Sequence, residues 1–115
     1  MSAQLEVPRL DDLSDLGIAI EPSEQPGVVS LTAWAGDGSS VTLTWDEIAG
    51  SASIRWVDAD QERLVLERET ASKISVRADG GSVQFHVWSR SQGLGGELVV
   101  RVGEGVTVRD VLLRV

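Results

Sequence analysis

An all-β fold is what this sequence predicts: a two-layer antiparallel β-sandwich, or a flattened barrel, of about eight strands with a short N-terminal helical segment. Three observations lead there. Apolar and polar residues alternate through nearly all of the chain from Val28 onward. The alternating stretches are separated by clusters of Gly, Asp and Ser, the residues of tight turns. No stretch of helical period is long enough to cover a sheet, so the sheets must cover each other.

The elements follow in order. Residues 1–27 form an acidic leader expected to dock on the body. Leu10, Leu13 and Leu16 recur every third residue with acids between them, and Gly17 follows as a stop, which suits one or two helical turns seated by their leucines. Ile18–Glu21 reads as a short extended piece, and Pro22 and Pro26-Gly27 punctuate the connection to the body, residues 28–115. The strands there are Val28–Ala35, Val41–Asp46, Ser51–Asp58, Arg63–Glu69, Ile74–Ala78, Ser82–Arg90, Glu97–Val102 and Val106–Val115. Asp79-Gly80-Gly81 is the clearest hairpin signal, since glycine adopts positive φ at no steric cost. Gly36–Ser40, Asp58–Gln61 and Gly103–Gly105 are further turns, and Ser91–Gly96 reads as the loosest connection. One parity is almost wholly apolar, with Leu31, Leu43, Trp45, Ile54, Trp56, Leu66, Ile74, Phe85, Val87, Leu98 and Val100 among its members. It is the expected core. In the last strand the apolar parity switches near Arg109–Asp110, from Val106 and Val108 to Val111, Leu113 and Val115, which predicts a bulge or a crossing between sheets.

Composition bounds the function. At 115 residues and 42% hydrophobic, the chain suits one domain with a real core. It has no Cys, which removes disulfides, thiolate catalysis and cysteine metal sites. No apolar run is long enough for a membrane span. Nine Arg against the single Lys73, with abundant Val, Gly and Asp, resembles coding from a GC-rich bacterial genome. The N-terminal stretch lacks the basic start and apolar segment of a secretory signal, so the cytoplasm is the expected location. Net charge is −8, with six acids and one base in residues 1–26. Such a leader keeps a small domain soluble, or meets a basic partner.

Catalytic constellations are not legible. There is no Gly-x-Ser-x-Gly elbow, and the single histidine, His86, lies mid-strand between Gln84 and Trp88. One histidine without cysteine removes zinc and copper, so no metal or other cofactor is expected. Asp58, Asp60 and Glu62 offer alternate carboxylates in a turn, but the rest of a calcium loop is missing, and Asp is common in turns for backbone capping alone. The Gly-x-Gly at Gly93–Gly95 and at Gly103–Gly105 has no Walker lysine and opens no helix. An acidic chain is repelled by phosphates, so nucleic acid is not an expected partner.

Tryptophan placement carries the binding expectation. Trp45 and Trp56 fall on the apolar parity. Trp34 and Trp88 fall on the polar parity among Ser, Thr, Gln and Arg, where a large ring either lies beneath the leader's leucines or marks an interface. The expected function is therefore a non-enzymatic protein-binding module, such as a bacterial inhibitor or immunity-type protein or a small assembly subunit. Trp34 and Trp88 would anchor the contact, Arg55, Arg77 and Arg90 would direct hydrogen bonds, and His86 would lie beside them. The expected partner is another protein, a basic one where the acidic leader makes the contact, or a second copy in a homodimer. A carbohydrate-binding sandwich using Trp34 and Trp88 with Gln84, His86 and Arg90 is the alternative, weakened by the absence of Tyr.

Overall fold

The computed structural model describes residues 5–91 and 94–114. A 3-10 turn at Leu10–Leu13 precedes nine strands: β1 Ala19–Pro22, β2 Val28–Trp34, β3 Ser40–Asp46, β4 Ser51–Asp58, β5 Gln61–Arg68, β6 Ala71–Asp79, β7 Ser82–Ser91, β8 Leu94–Val102 and β9 Val106–Arg114. Strands β1 to β5 form one antiparallel sheet in chain order, and β6 to β9 form a second. The all-β expectation holds, and the added strand is the leader's extended piece, which pairs with β2 as Ala19↔Thr32 to Pro22↔Val29.

The two sheets close over one core because each turns its apolar parity inward. Leu31, Val41, Leu43, Trp45 and Ile54 from the first sheet share a buried cluster with Ile74, Phe85, Val87, Leu98 and Val100 from the second. Trp56 packs at the rim of that cluster, where its Nε1–H is buried with no hydrogen-bond partner among the described residues. The leader contributes too: Leu13 is buried, and Leu10 and Leu16 pack partly against the core. Upstream, Glu6 N–H donates to the Ser72 carbonyl at 3.0 Å and Ile74 N–H donates to the Glu6 carbonyl at 2.8 Å, so the chain around Glu6 lies along the β6 edge in a single parallel bridge. At the opposite end of the sandwich, the β2–β3 turn is tied to the β8–β9 turn by Gly36 N–H to the Gly103 carbonyl and Asp37 N–H to the Glu104 carbonyl, both 2.8 Å.

Two hairpins share a backbone but not a sequence. The β6–β7 loop is Gly80-Gly81, with φ of 56° and 88°. The β4–β5 loop is Ala59-Asp60, with φ of 50° and 62°. Positive φ at both central residues is the geometry of the tight primed turns, which Asn-Gly or Gly-Gly satisfies. A side chain held there costs roughly 1–2 kcal/mol per residue, less for Asp than for Ala. Replacing Ala59-Asp60 by Asn-Gly is expected to raise stability by about 1 kcal/mol and the melting temperature by about 3–5 °C. An unchanged thermal midpoint would show that the left-handed backbone carries no strain.

The last strand corrects one expectation. From Leu94↔Arg114 to Val102↔Val106 the β8–β9 register runs without a shift, so there is no bulge at Arg109–Asp110. Val111 pairs with Glu97 on the outer face, whereas Asp110 pairs with Leu98 on the inner parity. The physical reason is an ion pair at the sandwich margin. Asp110 accepts from Arg68, the last residue of β5, whose side chain is on the inward parity of the other sheet. An edge strand can turn a charge inward where a partner meets it, so its apolar pattern need not mark the buried side. Val115 lies outside the described residues.

The predicted loose connection at Ser91–Gly96 is also shorter than expected. β7 runs through Ser91 and β8 begins at Leu94, while Gln92 and Gly93 lie outside the described residues. Gly96 belongs to the ladder opposite Ser89, and a Cβ on it would stand 2.6 Å from the Ser89 Oγ. Close approach, not turn-making, is what this glycine supplies.

Candidate interaction surface

The outer faces of the sheets differ in kind. On the five-stranded sheet, Ser30 and Thr44 hydroxyls meet at 2.8 Å and those of Thr32 and Thr42 at 2.9 Å, a hydroxyl ladder across β2 and β3. Around it stand Glu21, Asp46, Glu62 and Glu67, with Arg55 as the basic residue in the same outward set. Arg55 Nε donates to Glu62 at 2.9 Å, so its charge is locally answered. Trp34 ends β2 on this face and is 60% exposed. Its ring is thus not covered by the leader's leucines, which instead serve the core.

The four-stranded sheet presents the opposite balance. Its ladders place Arg77 beside Gln84 and Gln84 beside Arg101. The next rank is Ser75, His86, Val99 and Arg109, and the one after it is Lys73, Trp88, Glu97 and Val111. Arg90 follows Trp88 on the same side of β7. Trp88 is half-buried at the centre of this arrangement. Lys73 Nζ lies 5.4 Å from its ring centroid, and His86 lies 5.1 Å away, tilted by 57°. The cation over the ring contributes about 0.5–1 kcal/mol at such an exposed site and holds the indole in place. His86 Nδ1 is 3.8 Å from Glu97 Oε1, an ion pair only when the imidazole is protonated. Beyond Trp88 the surface dips into an open groove of about 1050 Å³ that Lys73, Trp88, Arg90 and Glu97 line together with Glu6 and Glu69.

Of the residues singled out from sequence, Trp88, His86, Arg90 and Arg77 therefore share one face, while Trp34 and Arg55 stand on the other. Lys73, Glu97, Arg101 and Arg109 belong with the first group and were not singled out. Arg101 shows the right parity in the sequence. Lys73 was hidden by a bulge, since β6 begins at Ala71 with a register shift between Ala71 and Lys73.

Carboxylates elsewhere are committed to their own loops. Asp37 Oδ1 accepts from the Ser39 hydroxyl at 2.5 Å and the Ser39 N–H at 2.9 Å. These bonds hold the Asp37 carboxyl below the usual range, the hydroxyl bond being the larger cause. Asp46 Oδ1 accepts from the Ile48 and Ala49 N–H groups. In the turn considered for calcium, Asp58 faces Arg63 at 3.5 Å and Glu62 faces Arg55. Among the described residues no three His, Asp or Glu side chains gather where they could hold a metal ion.

A solved structure shares this architecture. The chain is similar over 98% of its length to the whole of a chain in the contact-dependent growth inhibition toxin–immunity protein complex from Klebsiella pneumoniae 342, with a TM-score of 0.78 and 16% sequence identity. At that identity the likeness is one of fold. No protein-family model and no curated protein matches the sequence. No helix among the described residues is long and apolar enough to cross a membrane.

Proposed function

We propose that this chain is a non-enzymatic protein-binding module of the immunity type, a small bacterial inhibitor that acts by occupying another protein. The observation that carries the reading is the fold likeness, end to end, to a chain from a toxin–immunity complex. The surface supports it: one sheet face gathers an indole, an imidazole and long cationic side chains, of which Trp88, Lys73 and Arg90 open on a groove, the composition of a recognition surface rather than of a reaction centre. In this reading Trp88 supplies the desolvated anchor, and Arg77, Arg90 and Lys73 direct hydrogen bonds to the partner. Inhibition is by complementarity, with no bond made or broken. A cytoplasmic setting fits the Cys-free composition.

A carbohydrate platform built on both solvent-side tryptophans is harder to support. Trp34 and Trp88 stand on the outer faces of different sheets and cannot hold one ligand.

Co-expression with the protein encoded by the adjacent gene tests the proposal. The neighbour alone is expected to arrest bacterial growth, and this chain is expected to restore it and to co-elute with the neighbour as a stable complex. Growth arrest that persists, with the two proteins eluting apart, would count against an immunity role.

A further inference from the structure

The distribution of charge says what kind of surface this face fits. Lys73, Arg77, Arg90, Arg101 and Arg109, half of the ten basic residues, stand on the outer face of β6–β9. Of the eighteen acids, Glu97 alone stands within the face, while Glu6 at the β6 edge, Glu69 at the groove, Asp79 at the hairpin end and Glu104 in the β8–β9 turn lie at its margins. Among the described residues none of the five cations makes an ion pair, whereas Arg55, Arg63 and Arg68 each do. The cations are separated across the ladders by Gln84, Ser75 and Val99, which limits their mutual repulsion without cancelling their charge.

Resting on the protein-binding reading above, we propose that the outer face of β6–β9 docks an acidic surface of a partner protein, with Arg77, Arg101 and Arg109 reading its carboxylates and Trp88 seated at the contact. Net charge points the other way, and distance decides between them. Two packed sheets are separated by about 10 Å, and the opposite outer face lies farther still. The screening length at physiological salt is about 8 Å. The acids of the opposite face therefore act on encounter at low salt, while contact is governed by the local cations. Guanidinium groups pair with carboxylates through two parallel hydrogen bonds, which an uncommitted arginine is free to make. A nucleic acid fits less well, because a duplex is far longer than this face and would run past Glu6, Asp79 and Glu104 at its margins. A second copy fits less well too. Its acidic outer face has hydroxyls already bonded to each other and its arginine already paired, and a head-to-tail contact of this kind does not close.

Titrating the isotope-labelled full chain with poly-L-glutamate at physiological salt, where the opposite face is screened, followed by NMR, tests the assignment. The shifts are expected on β6–β9, with the Trp88 indole signal moving and the Trp34 signal still. Arg77→Ala/Arg101→Ala/Arg109→Ala is expected to weaken binding on the order of tenfold or more. The matching triple Lys variant keeps the charge and most of the affinity, and Glu21→Gln/Glu67→Gln on the other face changes nothing. Shifts elsewhere, or affinity indifferent to the triple Ala variant while the Lys variant confirms folding, would overturn the proposal. So would a DNA duplex bound by the same residues more tightly than poly-L-glutamate, or self-association that rises with concentration in its absence. The growth assay does not involve this probe, so rescue with a failed titration removes the acidic docking face and leaves the immunity reading standing.

Discussion

Alanine in place of Phe85 is expected to cost about 3–5 kcal/mol, which is a third or more of the stability of an ordinary domain. Phe85 is fully buried at the middle of β7, with Val76 beside it on β6 and Val100 on β8. It is the sole Phe of the chain and, with Trp45, among the largest buried side chains. Its loss removes a ring's worth of transfer free energy and leaves a cavity between two sheets that cannot slide together, because the loop bonds at both ends fix their spacing. Urea denaturation should show a lower midpoint at an unchanged slope. A loss under about 1 kcal/mol would mean that the sheets do not pack on one another over this residue.

The largest effect expected on binding separates the two solvent-side tryptophans. With the partner defined by growth rescue, Trp88→Ala should weaken the complex by about 2 kcal/mol or more, which is roughly thirtyfold. Trp34→Ala should leave the affinity nearly unchanged. The difference comes from surroundings, not from residue type. Trp88 is half-buried, held by Lys73 and His86 and opening on the groove, whereas Trp34 ends its strand largely exposed, among hydroxyls. The contacts of Lys73 and His86 restrict the Trp88 ring before a partner arrives, so less entropy is lost on contact. Calorimetry reads both variants. Equal losses, or a Trp88→Ala protein that no longer melts cooperatively, would remove Trp88 as an anchor.

Local chemistry was legible in the sequence because it depends on neighbours along the chain. Period two marked the strands, and it placed Leu43, Trp45, Ile54, Phe85 and Val100 inside and Trp34 and Trp88 outward. The two-residue glycine turn after Asp79 was readable for the same reason. Sheet membership was not, because it depends on which strands become neighbours in space. Arg55 and Arg77 carry identical signals in the sequence, yet one ends opposite Glu62 and the other among unpaired cations. The basic face is a property of that partition, and an even scatter of Arg along the chain hid it. Edge positions misled for a different reason. Val111 looked like core because it is apolar, but an edge strand tolerates outward apolar groups, and the inward position beside it holds Asp110 against Arg68.

The margins of the two sheets carry a consequence for how this protein behaves in a crowded cell. β1 is four residues long and ends in Pro22, β5 flanks Leu64-Val65-Leu66 with Glu62 and Arg63 on one side and Glu67 and Arg68 on the other, β6 is partly overlaid by the chain at Glu6, and β9 carries Arg109 and Asp110. Each of these discourages an incoming strand from adding to the ladder. A chain that is almost all ribbon can thus accumulate to high concentration without templating fibrils.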